Sequence, residues 1–380
     1  MSKFALILLL SILTSCMSSS SRQEAATKNS QKTKPVKAIF PVKGLSIKSP
    51  KPASLDRFVK FIDEELSSMG VNTIMLRIGY DYQYSSHPEL VNEGALSNAE
   101  AKRIVAVCKK HDIKLIPAIN LLGHQSWHSK VYKLLEVYPQ FDETPHVKLP
   151  EKYEWPNADK LYCKSYCPEH PDVHKVVFAL IDELVAVCEA DSFHAGMDEV
   201  FYLGDDKCPR CAGKDKAKLF ADEVIRIHSH LKKSNTKMWM WGDRLIDGKA
   251  TAMGFWEASE NGTHRAIDLI PKDITIADWH YERADPTAVL FAAKGFDVVT
   301  VPWRLPDVTI EQLNQTISNR KNSADGMKQR FQGMMLTSWY GPDSFMDRYY
   351  QITENTLKKG DSMKTFKLLF EQINQLEKSP

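Results

Sequence analysis

Asp198 and Glu199 stand side by side in His194-Ala195-Gly196-Met197-Asp198-Glu199, at the end of a short run that begins Ser192-Phe193. Burying adjacent carboxylates without partners costs free energy, so a half-buried strand does not ordinarily end in them. At the mouth of a cleft the same pair suits glycosidic chemistry. One carboxyl, held protonated, donates to the leaving oxygen, and one kept ionised supports the positive charge building on the sugar. The competing reading is a solvated pair opening a helix, where acids suit the dipole. Adjacent strand residues point to opposite faces. For both acids to line one cleft, the chain must leave strand geometry between them.

His-x-Gly-x-Asp-Glu resembles the signature of family 20 glycoside hydrolases, the β-N-acetylhexosaminidases. The stretch from Ile116 to His124 is similar to that family's segment ending in Pro-Gly-His. Tyr166-Cys167-Pro168-Glu169-His170-Pro171 resembles its Cys-Pro-x-x-Pro lead into the helix before the catalytic strand. Trp241-Gly242-Asp243, Asp278-Trp279-His280-Tyr281 and Thr337-Ser338-Trp339-Tyr340 match the tryptophan-bearing ends of its later strands. The resemblance covers residues 38 to 350 and is closest to compact members without the usual small N-terminal domain.

The resemblance implies substrate-assisted retaining hydrolysis, in which the sugar's own 2-acetamido oxygen attacks the anomeric carbon. It assigns Glu199 as general acid/base, Asp198 as partner of the acetamido N–H and Tyr281 as donor to the acetamido oxygen. Trp241, Trp279 and Trp339 would wall the pocket, although Trp241 and Trp279 also suit a barrel core. His194, four residues before Asp198, falls on the same side but deeper, as a hydrogen-bonded support. His124 is expected to orient its loop, and Asp243 and Asp343 are candidates to bind sugar hydroxyls. Two departures bear on specificity. Lys43 to Lys48 holds no arginine where many members carry one at the end of the first strand. Ala118 and Asn120 stand where acids are usual, and Leu122 where proline is. The terminal sugar is therefore left open.

These residues need a frame that brings distant strand ends together. Strand-like runs begin near Ala38-Ile39-Phe40 and continue with Asn72 to Ile78, Lys114 to Ile119, Ser192 to Met197, Lys237 to Trp241, Ile274 to Trp279, Val298 to Val301 and Gly333 to Ser338. Amphipathic runs alternate with them. Leu55 to Met69 places Phe58, Phe61, Ile62 and Leu66 on one helical face. Ala99 to Lys110 is led by Ser97 and Glu100, a capping box. Val176 to Val187 and Phe220 to Leu231 complete the pattern. Such alternation predicts an α/β fold with a parallel sheet covered by helices. Asn120, Asp198-Glu199, Asp243, His280 and Trp339 all fall at C-terminal strand ends, which favours a (β/α)8 TIM barrel. The segment from Gly123 to Tyr166, with Trp127 and Trp155, is long enough to be an active-site loop.

The ends are of another kind. Lys3, the apolar stretch Phe4 to Leu13 and Leu13-Thr14-Ser15-Cys16 resemble a bacterial lipoprotein signal, with Cys16 the lipidated residue. Residues 17–37 are polar and lysine-bearing, which reads as a flexible tether. This predicts a signal peptide over 1–16, a tether over 17–37 and the barrel over 38–380, lipid-anchored in the cell envelope. The formal charge of +2 offers no basic field for nucleic acid. Eight tryptophans suit stacking on sugar faces. No cofactor is implied.

Cys163-x3-Cys167 and Cys208-Pro-Arg-Cys211 fall in predicted loops after neighbouring strands. They fit disulfides, which an exported chain permits and which are favoured here. The alternative is one zinc held by all four thiols, or free thiols. Two other functions compete with the hydrolase: a non-catalytic sugar-binding barrel, for which an acid pair has no use, and a retaining glycosidase with an enzyme nucleophile, which needs a second carboxylate about 5 Å from Glu199.

Overall fold

The computed structural model describes residues 38–154, 163–351 and 360–378. The expectations for the signal, for Cys16 and the tether, and for Trp155 lie outside the described residues. Eight parallel strands close into a barrel: β1 (Val42–Lys48), β2 (Thr73–Arg77), β3 (Lys114–Leu121), β4 (Ser192–Gly196), β5 (Lys237–Trp241), β6 (Thr275–Trp279), β7 (Asp297–Val301) and β8 (Phe331–Thr337). Closure is between β1 and β8, with Leu45 opposite Leu336. The expected (β/α)8 barrel is the observed fold.

The first strand begins later than the Ala38-Ile39-Phe40 run suggested. Pro41 has no N–H to give to a ladder, and pairing starts at Val42, opposite Gly333. Phe40 is fully buried just ahead of the strand, so its apolar character reflects burial outside the ladder.

Strand alternation sorts two cores. Trp239 and Trp241 of β5, Ala277 and Trp279 of β6, and Val299 and Val301 of β7 fill the barrel interior. Met238, Met240 and Ile276, one residue out of phase, face the helices. The covering layer begins with α1 (Leu55–Phe61), which continues into a π-helical turn over Ile62–Leu66. α2 (Asn98–Lys110) carries the predicted capping box, with the Ser97 side chain accepting from the Glu100 N–H and Glu100 accepting from the Ser97 N–H. α3 (Val173–Cys188) and α4 (Lys216–Lys232) lie on either side of β4 in the chain. Among the described residues, no helix is long and apolar enough to cross a membrane.

The barrel is irregular where β3 meets β4. Ala118 pairs with His194 but Leu121 pairs with Gly196, so β3 spends one residue more than β4 over this stretch. A bulge of this kind re-aims the side chains at a barrel rim.

Candidate active site

β4 ends at Gly196, and the backbone then reverses sign repeatedly. φ is +71° at Gly196, +71° at Met197 and +49° at Glu199. This is the departure from strand geometry that the acid pair required. Asp198 shares the inward phase of His194 and Gly196, and the left-handed residues around it turn Glu199 to the same side. A Cβ on Gly196 would stand 2.6 Å from the Asn120 Cα, and one on Gly123 would stand 2.6 Å from the Asp198 carbonyl oxygen. The chain after β3 therefore presses directly on the chain carrying the acids, and only glycine admits that approach.

His124 lies between the two carboxylates, with Nε2 3.1 Å from Asp198 Oδ2 and 3.0 Å from Glu199 Oε2. The expectation that it only orients its loop was too narrow. Burial opposes its charge, but Asp198 and the Cys163 side chain hold it well above its ordinary value. The acids respond in opposite directions. Burial pushes Glu199 up, and His124 recovers only part of that shift. Burial also works against Asp198, but the charge and hydrogen bond of His124 bring it below the ordinary carboxylate value. Asp198 Oδ1 is buried and has no hydrogen-bond partner. His194 is buried, its Nδ1 accepting the Gly196 N–H at 3.1 Å, and burial pushes it down to about 3. It is a neutral support, 4.7 Å from the Trp241 ring centroid.

The acids open into a cavity of about 700 Å³ that Trp241, Trp279 and Trp339 line together with Tyr281. Trp127, Trp256 and Trp303 also line it. Tyr281 packs at a 36° tilt against Trp279 with ring centroids 4.8 Å apart, its hydroxyl accepts from Trp339 Nε1 at 3.2 Å, and burial keeps that hydroxyl protonated far above its ordinary value. His280 and Glu257 hold Tyr281 from behind. Glu257 Oε1 accepts the Tyr281 N–H at 3.2 Å while Oε2 meets His280 Nδ1 at 2.9 Å.

Neither aspartate proposed for sugar hydroxyls is placed to meet them. Asp243 is buried, and it accepts from the Glu199 N–H at 2.9 Å, from Arg244 Nε at 2.6 Å and from Trp279 Nε1 at 3.3 Å. Its acceptor sites are thereby given to positioning Glu199 and Trp279. Asp343 lies off the cavity at the start of the helix Pro342–Gln351, where Oδ2 accepts from Ser54 Oγ at 2.6 Å.

Arg77, at the end of β2, was missed. Its guanidinium lies 4.2 Å over the Trp339 ring and donates to the Ser338 backbone oxygen. Burial lowers it only to about 10, with Tyr281 and Asp198 opposing that shift, so it stays charged. It borders a second lobe of about 500 Å³ that shares Asn120, His124 and Trp339 with the main cavity. An arginine closing the apolar run Thr73 to Leu76 was the available signal.

The four loop cysteines do not converge. Cys163 stands apart, its Sγ 3.4 Å from the Glu199 carbonyl oxygen. Cys167 lies 3.6 Å from Cys208 and 3.5 Å from Cys211, sulfur to sulfur, and all are free thiols. A disulfide needs about 2.05 Å. The favoured disulfides are thus not what the structure holds.

A closed parallel barrel with paired carboxylates and a tryptophan-walled cavity at its strand ends has the architecture of a barrel glycosidase. The chain belongs to glycosyl hydrolase family 20, whose catalytic-domain model matches residues 54–343. Hexosaminidase D of Bos taurus is 26% identical over 188 residues, covering 47% of this chain and 49% of that protein. A beta-hexosaminidase of Akkermansia muciniphila is 27% identical over 144 residues, covering 38% of this chain and 27% of that one. The chain thus spans about half or less of these curated relatives. Among solved structures, a Flavobacterium johnsoniae chitobiase shares the fold with a TM-score of 0.60 at 18% identity, over 89% of this chain and 52% of that one. A β-N-acetylhexosaminidase from Bacteroides fragilis does so with a TM-score of 0.57 at 16% identity, over 90% and 72%.

Proposed function

We propose that this chain is an exo-acting β-N-acetylhexosaminidase that hydrolyses terminal 2-acetamido-2-deoxy-hexosides by substrate-assisted retention. The observation that carries the reading is Asp198 Oδ1, a buried carboxylate oxygen with no donor, beside a carboxyl whose affinity for its proton is raised. A substrate acetamido N–H would satisfy that oxygen and push its own carbonyl toward the anomeric carbon. Tyr281 would donate to the acetamido oxygen as it becomes the oxazolinium ring oxygen. Glu199 would protonate the departing oxygen, then take a proton from the water that opens the ring. Trp241 and Trp279 would pack against the acetyl group and Trp339 against the sugar face. Family membership and the hexosaminidase names of both relatives support the substrate class.

A panel of aryl glycosides tests this. Turnover of 2-acetamido glycosides alone is expected, with a thiazoline mimic of the oxazolinium binding far more tightly than the product sugar. Comparable turnover of 2-hydroxy glycosides would overturn the mechanism, because those substrates have no internal nucleophile.

The same proposal places the barrel, residues 38–380, in the cell envelope, held by lipid on Cys16 through a tether over 17–37. Its partners are then an N-acetylhexosamine-bearing glycan and the membrane surface. The lipobox-like Leu13-Thr14-Ser15-Cys16 supports the anchor.

A further inference from the structure

We propose that Glu143, Cys167, Cys208 and Cys211 form a structural zinc site that fastens the segment after β3 to the segment after β4. One carboxylate oxygen and three sulfurs from these residues lie within 4.8 Å of one another, and all four residues are buried. A tetrahedral centre with Zn–S near 2.3 Å places its sulfurs about 3.8 Å apart. The two measured separations, 3.5 and 3.6 Å, lie near that edge and far from a sulfur–sulfur bond.

Glu143 supplies an independent observation. Oε1 accepts the Asp205 N–H at 3.1 Å, but Oε2, in a side chain with 0% exposure, has no hydrogen-bond partner of ordinary geometry, and the carboxylate group lies beside the Cys208 thiol. A buried carboxylate set against three thiols with one oxygen lacking a good donor is costly as it stands. A divalent cation satisfies it together with the three sulfurs.

The backbone is arranged as thiolate ligands need. The Cys208 sulfur faces the N–H groups of Arg210 and Cys211, and the Cys167 sulfur faces that of Glu169. Such donors hold a ligating sulfur in place and temper its charge. Three thiolates, one carboxylate, full burial and no open position describe a closed zinc site rather than a catalytic one. Binding releases the three thiol protons to solvent. Cys163, the fourth cysteine of the pattern, is excluded by its place against the Glu199 carbonyl. It lies four residues before Cys167, so the site would steady the backbone beside Glu199 without touching substrate.

The full chain, purified without chelators, is tested by elemental analysis and by thiol titration after denaturation. One zinc per chain is expected, with Cys167, Cys208 and Cys211 titrating as thiols once the metal is chelated, and with chelation lowering the melting temperature. A metal-free protein, or a thiol count that rises on reduction, overturns the site. Variants then assign the fourth ligand. Glu143→Gln is expected to weaken zinc at least tenfold in competition with a chromogenic chelator, while Cys163→Ser retains one zinc per chain. The reverse pattern refutes Glu143 as a ligand. If Glu143→Gln does not fold, the wild-type stoichiometry and the Cys163→Ser result still decide. None of these readouts depends on the glycosidase reading.

Discussion

At the level of single residues, the site is a pair of acids separated in role by one histidine. Under the proposed mechanism Glu199 must hold a proton and Asp198 must not. Burial alone would raise both, and His124 opposes that rise at each of them, prevailing only at Asp198. Glu199→Gln removes the proton donor and leaves the packing nearly unchanged. Activity on natural glycosides is expected to fall about 10²–10⁴-fold, while substrates with very good leaving groups keep most of theirs. Equal losses on both kinds of substrate would remove Glu199 from the acid role. His124→Gln has a different signature. Activity rises with pH as Asp198 loses its proton and falls as Glu199 loses its own. His124 lowers both carboxyls, so without it both limbs should move to higher pH, as properties of the coupled pair. A pH–kcat profile with unmoved limbs would show that His124 does not set the two charges. Asp198, Glu199 and Tyr281 were legible in the sequence because the motif names them. The place of His124 was not, since nothing in Gly123-His124 says which carboxylates a later strand brings to it. Asp243 was misread for the same reason: an acid after a strand looks ready for a sugar, and only the folded chain shows its oxygens taken by Glu199, Arg244 and Trp279.

At the level of elements, the decisive structure is the crossing of two strand ends. β3 bulges, β4 stops at Gly196, and the segments touch where Gly196 faces Asn120 and Gly123 faces Asp198. Gly196→Ala therefore meets two penalties at once, a side chain at φ +71° and a Cβ 2.6 Å from backbone. The conformation alone costs about 1–3 kcal/mol. An unfolding free energy lowered by at least that amount, read from a shifted denaturant midpoint, with kcat reduced more than KM is raised, is expected because the displaced backbone carries the acids. An unchanged midpoint would mean that the β3 and β4 ends are not in this contact. The strands themselves were legible as short apolar runs between amphipathic ones, while only the folded barrel shows that Trp239 and Trp241 face in and Met238 and Met240 face out. The first strand was not, because Ile39 and Phe40 are apolar for a reason other than strand pairing. The cysteine loops show the limit of spacing arguments most plainly. Four thiols at suggestive intervals invite a four-thiol site, yet Glu143, the second of two adjacent acids in a long loop, is what meets three of them.

At the level of the whole molecule, catalysis and attachment are assigned to different parts of the chain. The barrel offers no membrane-crossing helix among its described residues, and a formal charge of +2 gives the chain little attraction of its own for an anionic surface. Lys28, Lys32, Lys34 and Lys37 of the tether could add about 1 kcal/mol each near such a surface, an attraction that salt screens. Acyl chains on Cys16 would contribute about 0.8 kcal/mol for every buried methylene, which salt does not screen. If that division holds, the wild-type protein sediments with membranes at high salt and its mature chain begins at a modified Cys16. Cys16→Ala is then recovered in the soluble fraction, with kcat and KM on a small aryl glycoside unchanged, because every residue assigned to the proposed site belongs to the barrel. Wild-type protein that is already soluble with an unmodified N-terminus would refute the anchor. A Cys16→Ala protein that still sediments at high salt would move the attachment onto the barrel itself.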